Sequence, residues 1–368
     1  MTNYKVPYVN YKIQSKLYGD AILKEIKRVM DGGDYILRSD VEEFERTLAE
    51  YVGTKYAVGV NSCTDGMRLI FRALNFKPHS EVIVSGHTFL ATLDAIVDAN
   101  LKPILIDTSL DYNMNTELIE KEITKDTVAI LPVHLNGRCC NMDKIMQVAS
   151  KYRLTVIEDA AQALGAEFKK KRAGSFGKAS AYSFFPAKLL GTIGDAGAIC
   201  TSDEELALKL KAMRDYGRVK GQEQVVCYGQ NSRLDNVHAA ILNYKIKFID
   251  QWIKRRREIA HLYCTELAYL NIGLSEWPME HNTYFDTYQN FVIRVPNRDD
   301  LIKHLEENGV EVLVHWRTPL NKQKALKFKC KLPETERLCD EVISLPMYQE
   351  LTDEQVRYVC DKIYAYFK

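Results

Sequence analysis

The sequence predicts an α/β fold: a large domain with a mostly parallel seven-stranded sheet covered by helices, plus a smaller C-terminal α/β domain. Three observations predict it. Short β-branched runs alternate with amphipathic helical patterns through the first two thirds of the 368 residues, as in strands joined by helical crossovers. Those runs are near-continuously apolar, which suits central strands buried on both faces. After residue 233 the character changes to one long helical pattern and then a compact mixture of short strands and helices.

The strands are expected at 56–60 (YAVGV), 81–84 (EVIV), 103–107 (PILID), 128–133 (VAILPV), 154–158 (LTVIE), 179–184 (ASAYSF) and 197–201 (GAICT). Between them DGMRLIFRAL, TFLATLDAIVDA, NMDKIMQVASKY and DEELALKLKAMR repeat apolar residues at helical spacing. RLDNVHAAILNYKIKFIDQWIKRRREIAHLYCTEL reads as a single long helix connecting two domains, residues 1–245 and 246–368. YQNFVIRV, DDLIKHLEENG, VEVLVHW, VISLPMY and DEQVRYVCDKIYAYF make up the second domain.

A net charge of +1 argues against strong attraction to nucleic acid or an anionic membrane. Two basic runs, KKKR at 169–172 and KRRR at 254–257, read as solvated surface, the first at the tip of a hairpin and the second within the long helix. Nine cysteines with no C-x-x-C pair fit a reducing, cytoplasmic setting and no metal site, and the histidines (His87, His134 and His238 among them) show no ligand spacing. The first residues lack the apolar core of a signal peptide, and no run of about 18 apolar residues occurs.

Ligands of open α/β sheets gather at the carboxyl ends of strands, and three such ends stand out. In SAYSFFPAKLLGTIGDAG, Lys188 lies between an aromatic run and glycines. It is either a stem lying on the core with its ammonium in water or an amine kept dry for chemistry. In TVIEDAAQALGA, Glu158 and Asp159 point to opposite faces if the strand persists, so one of them at most faces a pocket. NSCTDGMRLIFRAL starts a helix with cap-competent Ser62, Thr64 and Asp65, a ready anion site, although the Asp65 carboxylate must point away from a phosphate. A buried amine beside a carboxylate matches what pyridoxal phosphate requires: an imine-forming group and an acid that keeps the pyridine nitrogen protonated.

SFFPAK, GDAGAI, VIEDAAQALGA, NSCTDGM, GHTFLAT and GQNSRLDNVHAAIL together resemble the DegT/DnrJ/EryC1/StrS family of pyridoxal-phosphate sugar aminotransferases, across essentially the whole chain. The resemblance implies the PLP-dependent transferase fold type I, that of aspartate aminotransferase. It implies that Lys188 is the Schiff-base lysine, that Asp159 pairs with the pyridine nitrogen and that Gln162 lies against the ring. Phe89 falls where the family stacks an aromatic ring, Ser183 matches its phosphate-binding serine, and Thr64 and Asp65 match its backbone phosphate contacts. Asn231 corresponds to an asparagine reaching the cofactor phosphate of the opposite subunit, which implies a homodimer. Lysine rather than histidine at 188 implies transamination rather than sugar dehydration.

The expected reaction is ping-pong: L-glutamate aminates the cofactor, which then aminates a nucleotide-linked ketosugar at C3 or C4. On the sugar side the sequence offers His315 and Trp316 as pocket walls and Arg218 and Arg233 as oxyanion partners. Asn321 of VHWRTPLN stands where many members of the resembled family have the histidine of P-L-H, a position the resemblance links with the sugar side of the pocket. Other small departures are Ala196 in GDAG and Cys63 at a position often held by glycine. The alternatives are a keto-inositol aminotransferase or an aromatising amino-acid synthase on the same scaffold, or a non-catalytic protein that binds the cofactor or a nucleotide sugar.

Overall fold

A computed structural model describes residues 4–219, 221, 223–274 and 283–368. Nine strands occupy the first part of the chain: β1 (Tyr56–Val60), β2 (Glu81–Ser85), β3 (Lys102–Ile106), β4 (Thr127–Leu131), β5 (Thr155–Asp159), β6 (Glu167–Phe168), β7 (Lys171–Arg172), β8 (Ala179–Ser183) and β9 (Gly197–Thr201). Seven of them form one sheet in the order β1-β9-β8-β5-β4-β2-β3. β9 runs antiparallel to both of its neighbours and the remaining pairs are parallel. All seven expected strands are present, within a residue or two at each end.

The apolar runs alternate between two cores, as the two-residue period of a strand requires. Val82, Val84, Ala129, Leu131 and Ile157 face a core shared with α3 (Cys63–Leu74) and α4 (Leu90–Asp98). Ile83, Ile106, Ile130 and Val156 face the other side, against α5 (Met142–Tyr152). The core on the first side continues without a break into the C-terminal part. There β10 (Gly273–Leu274), β12 (Phe291–Arg294) and β13 (Val342–Leu345) form an antiparallel sheet, backed by α9 (Arg298–Glu307) and α11 (Asp353–Phe367), while β11 (Tyr284–Phe285) pairs with β6. The N-terminal segment joins this part too, with Val6 bonded to Gly309 and Glu311 through its backbone.

Two expectations change. The long connector is not one helix: α7 (Asn236–Lys245) and α8 (Ile249–Leu267) are separated by a 3₁₀ turn at Ile246–Phe248. The tighter winding aligns residues three apart, so Ile246 and Ile249 both enter the core beside Trp252. The KRRR run is not solvated surface either. Buried Arg256 donates to the carbonyls of Tyr288 (3.0 Å) and Gln289 (3.2 Å), Arg257 donates to that of Asp286 (2.8 Å), and Arg255 to that of Leu351 (2.8 Å). Periodicity marked the helix but not that these guanidinium groups cap carbonyls of an adjacent irregular segment. The KKKR run does form the exposed tip of a hairpin, β6–β7, with Lys169 and Lys170 at positive φ.

The start of α3 touches the sheet through a glycine. A Cβ on Gly197 would lie 2.4 Å from the Ser62 carbonyl carbon and 2.5 Å from the Cys63 amide nitrogen. Those are backbone atoms that cannot rotate aside. G197A is therefore expected to lower stability by about 2–3 kcal/mol and to displace the N-terminus of α3. Urea denaturation measures the first effect and the cofactor dissociation constant reports the second.

Candidate active site

The carboxyl ends of β5 and β8 open into a cavity of about 520 Å³. It is lined by Lys188, Asp159, Gln162, Ser183, Thr64 and Phe89, with His315 and Trp316 on the wall from the C-terminal part. β5 pairs with β8 so that Asp159 lies opposite Ala181, which brings the two strand ends side by side. Lys188 follows β8 on a turn closed by its own N–H to the Phe185 carbonyl (2.8 Å).

Asp159 is buried and firmly oriented. One oxygen accepts from the Ala161 N–H (3.1 Å) and the other from the Thr92 hydroxyl (2.9 Å), while the Cys63 thiol approaches at 3.9 Å. Thr92 spends its proton on Asp159, so Thr88 at 2.9 Å must donate to Thr92. Burial pushes the Asp159 carboxyl above its ordinary value, opposed by the Ala161 and Thr92 bonds and by the charge of Lys188. Burial likewise lowers the Lys188 amine, opposed by the charges of Cys63 and Asp159.

Glu158 turns to the opposite side, as the strand period requires. It accepts from the N–H groups of Gly174 (2.7 Å), Phe176 (2.8 Å) and Gly177 (2.6 Å), and it meets His134 Nε2 at 2.9 Å. His134 Nδ1 accepts the Cys140 N–H (3.1 Å), so its proton sits on Nε2 and points at Glu158. This acid holds a loop together while its neighbour faces the cavity.

Ser62 caps α3 by accepting the Asp65 N–H (3.1 Å), which leaves Cys63 and Thr64 at the cavity with the helix N-terminus behind them. The Asp65 carboxylate accepts from Arg68 (3.3 Å) and is not part of the lining, so it does not oppose an anion there. Phe89 remains 60% exposed at the mouth. Gln162 Oε1 accepts from the Asn136 N–H (2.8 Å) and more weakly from Asn290 Nδ2 (3.4 Å), which turns its NH₂ toward the remaining space.

His315 Nδ1 bonds the Ser344 hydroxyl (3.0 Å), and burial with the nearby Lys188 charge lowers the ring to about 4. Trp316 adopts a left-handed backbone (φ 54°), uncommon for a bulky residue, with its indole edge-on to His87 at 5.0 Å.

Besides Asp65, four predicted residues do not line this cavity. Arg218 and Arg233 converge on one oxygen of Asp215, at 2.6 and 3.0 Å. Asn321 donates to the Cys330 carbonyl (3.1 Å) and to Glu336 (2.7 Å), bonds that brace the segment before α10 (Pro333–Glu341). Asn231 is exposed, bridged through its backbone to Asp215.

Sequence reasoning missed Thr92, Asn136, Gln289, Asn290 and Tyr8. The Tyr8 hydroxyl donates to Asn290 (3.0 Å), whose amide donates to Asn136 (2.9 Å). The signals available were the i, i+4 spacing of Thr88 and Thr92 and the polar pair QN before an apolar strand in YQNFVIRV.

The residues present fit pyridoxal phosphate: a buried acid, a half-buried lysine and a capped helix N-terminus share one cavity of sufficient size. The chain matches the DegT/DnrJ/EryC1/StrS aminotransferase family over residues 17–364. It is 38% identical to a dTDP-3-amino-3,6-dideoxy-alpha-D-galactopyranose transaminase of Aneurinibacillus thermoaerophilus, covering 98% of this chain and 99% of that one. It is 36% identical to a UDP-2-acetamido-2-deoxy-3-oxo-D-glucuronate aminotransferase of Pseudomonas aeruginosa, covering 96% and 98%. Among solved structures, DesV of S. venezuelae in complex with a ketimine intermediate superposes with a TM-score of 0.94 at 35% identity, covering 99% of each chain. NtdA of Bacillus subtilis with bound cofactor PMP superposes with a TM-score of 0.88 at 30% identity, covering 99% of this chain and 86% of that one. The protein with Lys188 and Asp159 in one cavity thus belongs to the DegT/DnrJ/EryC1/StrS aminotransferase family, whose members depend on pyridoxal phosphate.

Proposed function

We propose that this protein transfers an amino group from L-glutamate to a keto carbon, C3 or C4, of a nucleotide-linked deoxysugar, acting as a homodimer. The observation that carries this reading is the convergence of Lys188 and Asp159 on one cavity, where each favours the charged form of the other against the effect of burial. The relatives named above act on dTDP- and UDP-linked sugars, which supports a nucleotide sugar as acceptor. Amine transfer from glutamate to nucleotide-linked ketosugars, compared with transfer to free keto-inositol, tests the choice.

Bound in the cavity, pyridoxal phosphate supplies an electrophilic carbon and a ring that withdraws electrons. Asp159, held by Ala161 and Thr92, would face the ring nitrogen and favour its protonated form. Thr64, Ser183 and the start of α3 would hold the phosphate, and Phe89 would lie against the ring. Lys188 Nζ would carry a proton to and from the donor's α carbon, a role favoured by an amine that gives up its proton more readily than usual. His315, neutral at pH 7, offers the sugar a hydrogen-bonding wall rather than a cation. Asn231, exposed and outside the cavity of its own chain, would be free to meet the cofactor phosphate of the opposite subunit.

Replacing Lys188 with Ala is expected to remove the visible absorbance of the lysine-bound cofactor and to cut turnover by roughly a thousandfold or more. A variant with parental spectrum and activity would refute the assignment. N231A is expected to weaken cofactor retention by about tenfold in a dimer that stays intact, losing a charge-assisted bond to phosphate. Equilibrium dialysis measures this, and unchanged affinity argues against a shared site.

Acid should destabilise the protein. His87 is held at about 4 by burial and by the charge of His315, so as pH falls from near 6.5 the unfolded chain takes the proton and the folded chain does not. Stability is then lost progressively toward pH 4, on the order of 3 kcal/mol for this ring. Urea midpoints across that range should fall more steeply for the parent than for H87N.

A further inference from the structure

Lys188 reaches the cavity from a turn that is held in part by a residue far away in the chain. We propose that Gln289 is a positioning residue for Lys188, its side-chain amide bracketing the lysine's backbone on both sides. Gln289 Nε2 donates to the Ala187 carbonyl at 2.9 Å, and the Leu189 N–H donates to Gln289 Oε1 at 2.8 Å. The first bond takes the peptide unit before Lys188 and the second takes the unit after it. Because each peptide unit is planar, fixing both restrains the two backbone dihedrals of Lys188 and so the direction in which its side chain leaves the backbone.

The chemistry of the bracket is specific. A carbonyl and an N–H must be met at once by a neutral group that both donates and accepts, which a primary amide does. Asparagine offers the same groups one methylene short. Other ties on the turn run from Lys188 N to the Phe185 carbonyl (2.8 Å), from Thr192 N to the Phe184 carbonyl (2.9 Å), from the Thr192 hydroxyl to His238 Nδ1 (2.9 Å) and from Lys245 Nζ to the Gly191 carbonyl. Gln289 brings in the C-terminal part of the chain.

Gln289 is itself well anchored. It is only 8% exposed, and its carbonyl accepts from Arg256, which is 3% exposed and also bonds the Tyr288 carbonyl and Gln349. The next residue, Asn290, donates to Asn136 and toward Gln162 Oε1. Two adjacent amides thus set the lysine turn and the amide orientation of Gln162 from one short segment. This accounts for the buried Arg256 of the KRRR run and for the polar pair that interrupts YQNFVIRV.

The proposal rests on the reading that Lys188 carries the cofactor. The test compares the holoenzyme with Q289A and with the isosteric Q289E. The measurements are pH titration of the visible band of the lysine-bound cofactor, cofactor Kd, kcat and KM for glutamate, and Tm. Q289A is expected to move the titration midpoint by about half a pH unit or more and to lower kcat about tenfold, with KM changed less than about threefold. Q289E keeps an acceptor for Leu189 but loses the donor. Its activity relative to the parent should recover as pH falls toward about 4–5, where the protonated carboxyl can donate again.

If Q289A does not fold, the Q289E titration decides. A folded Q289E with parental midpoint and kcat, or a Q289A changed only in Tm, overturns the proposal. A visible band that survives K188A overturns the reading of Lys188 instead. A band lost in K188A but unmoved in both Gln289 variants overturns the bracket alone.

Discussion

The pairing of β5 with β8 is the constraint on which the site depends. Parallel neighbours end on the same side of a sheet, so the chain leaves both strands at one edge. The first exit carries a carboxylate and the second leads into the turn with the amine. β9 then returns antiparallel along β8 and brings Gly197 beneath the start of α3, so a helix N-terminus closes a third side. An acid, an amine and an anion-attracting helix end meet because three strands lie side by side, and each is supplied by a different loop.

Glu158 and Asp159 show how far a strand's period of two divides labour between adjacent residues. Both are buried acids, and both would be costly without partners. Glu158 is matched by three backbone donors and His134, an arrangement that ties the loop after the β6–β7 hairpin to the sheet. Asp159 receives fewer bonds and keeps its outward side toward the cavity. That deficit leaves Asp159 room for a cationic partner, which supports the proposed pairing with a protonated ring nitrogen.

Much of this was legible in the sequence because it is local. Apolar runs of the right length gave the strands, and NSCTDGM gave a helix start whose Ser62 cap forms as its residue type predicts. The opposed faces of Glu158 and Asp159 followed from strand geometry, and the strand-end positions of Asp159 and Lys188 drew attention to both. What was not legible was non-local. Nothing near Lys188 indicates that Gln289, a hundred residues on, grips its backbone, nor does anything near Arg256 show which carbonyls it will meet. The 3₁₀ turn between α7 and α8 hides for the same reason, since its sequence is good helix and only the packing of Ile246 and Ile249 tightens it. Arg218 and Arg233 misled in the opposite sense: guanidinium groups suit many oxyanions, and theirs is an aspartate of the same chain.

The early pinning of the chain has a practical side. Val6 is stitched to Gly309 and Glu311, and Tyr8 and Val9 already form part of the cavity wall. Tyr4 precedes Tyr8 by four residues, so at about 3.4 Å per extended residue it stands within roughly 14 Å of that wall. Purification handles at that end would start close to the cavity. The opposite terminus leaves from α11, whose residues do not line the cavity, and is the safer place to add them.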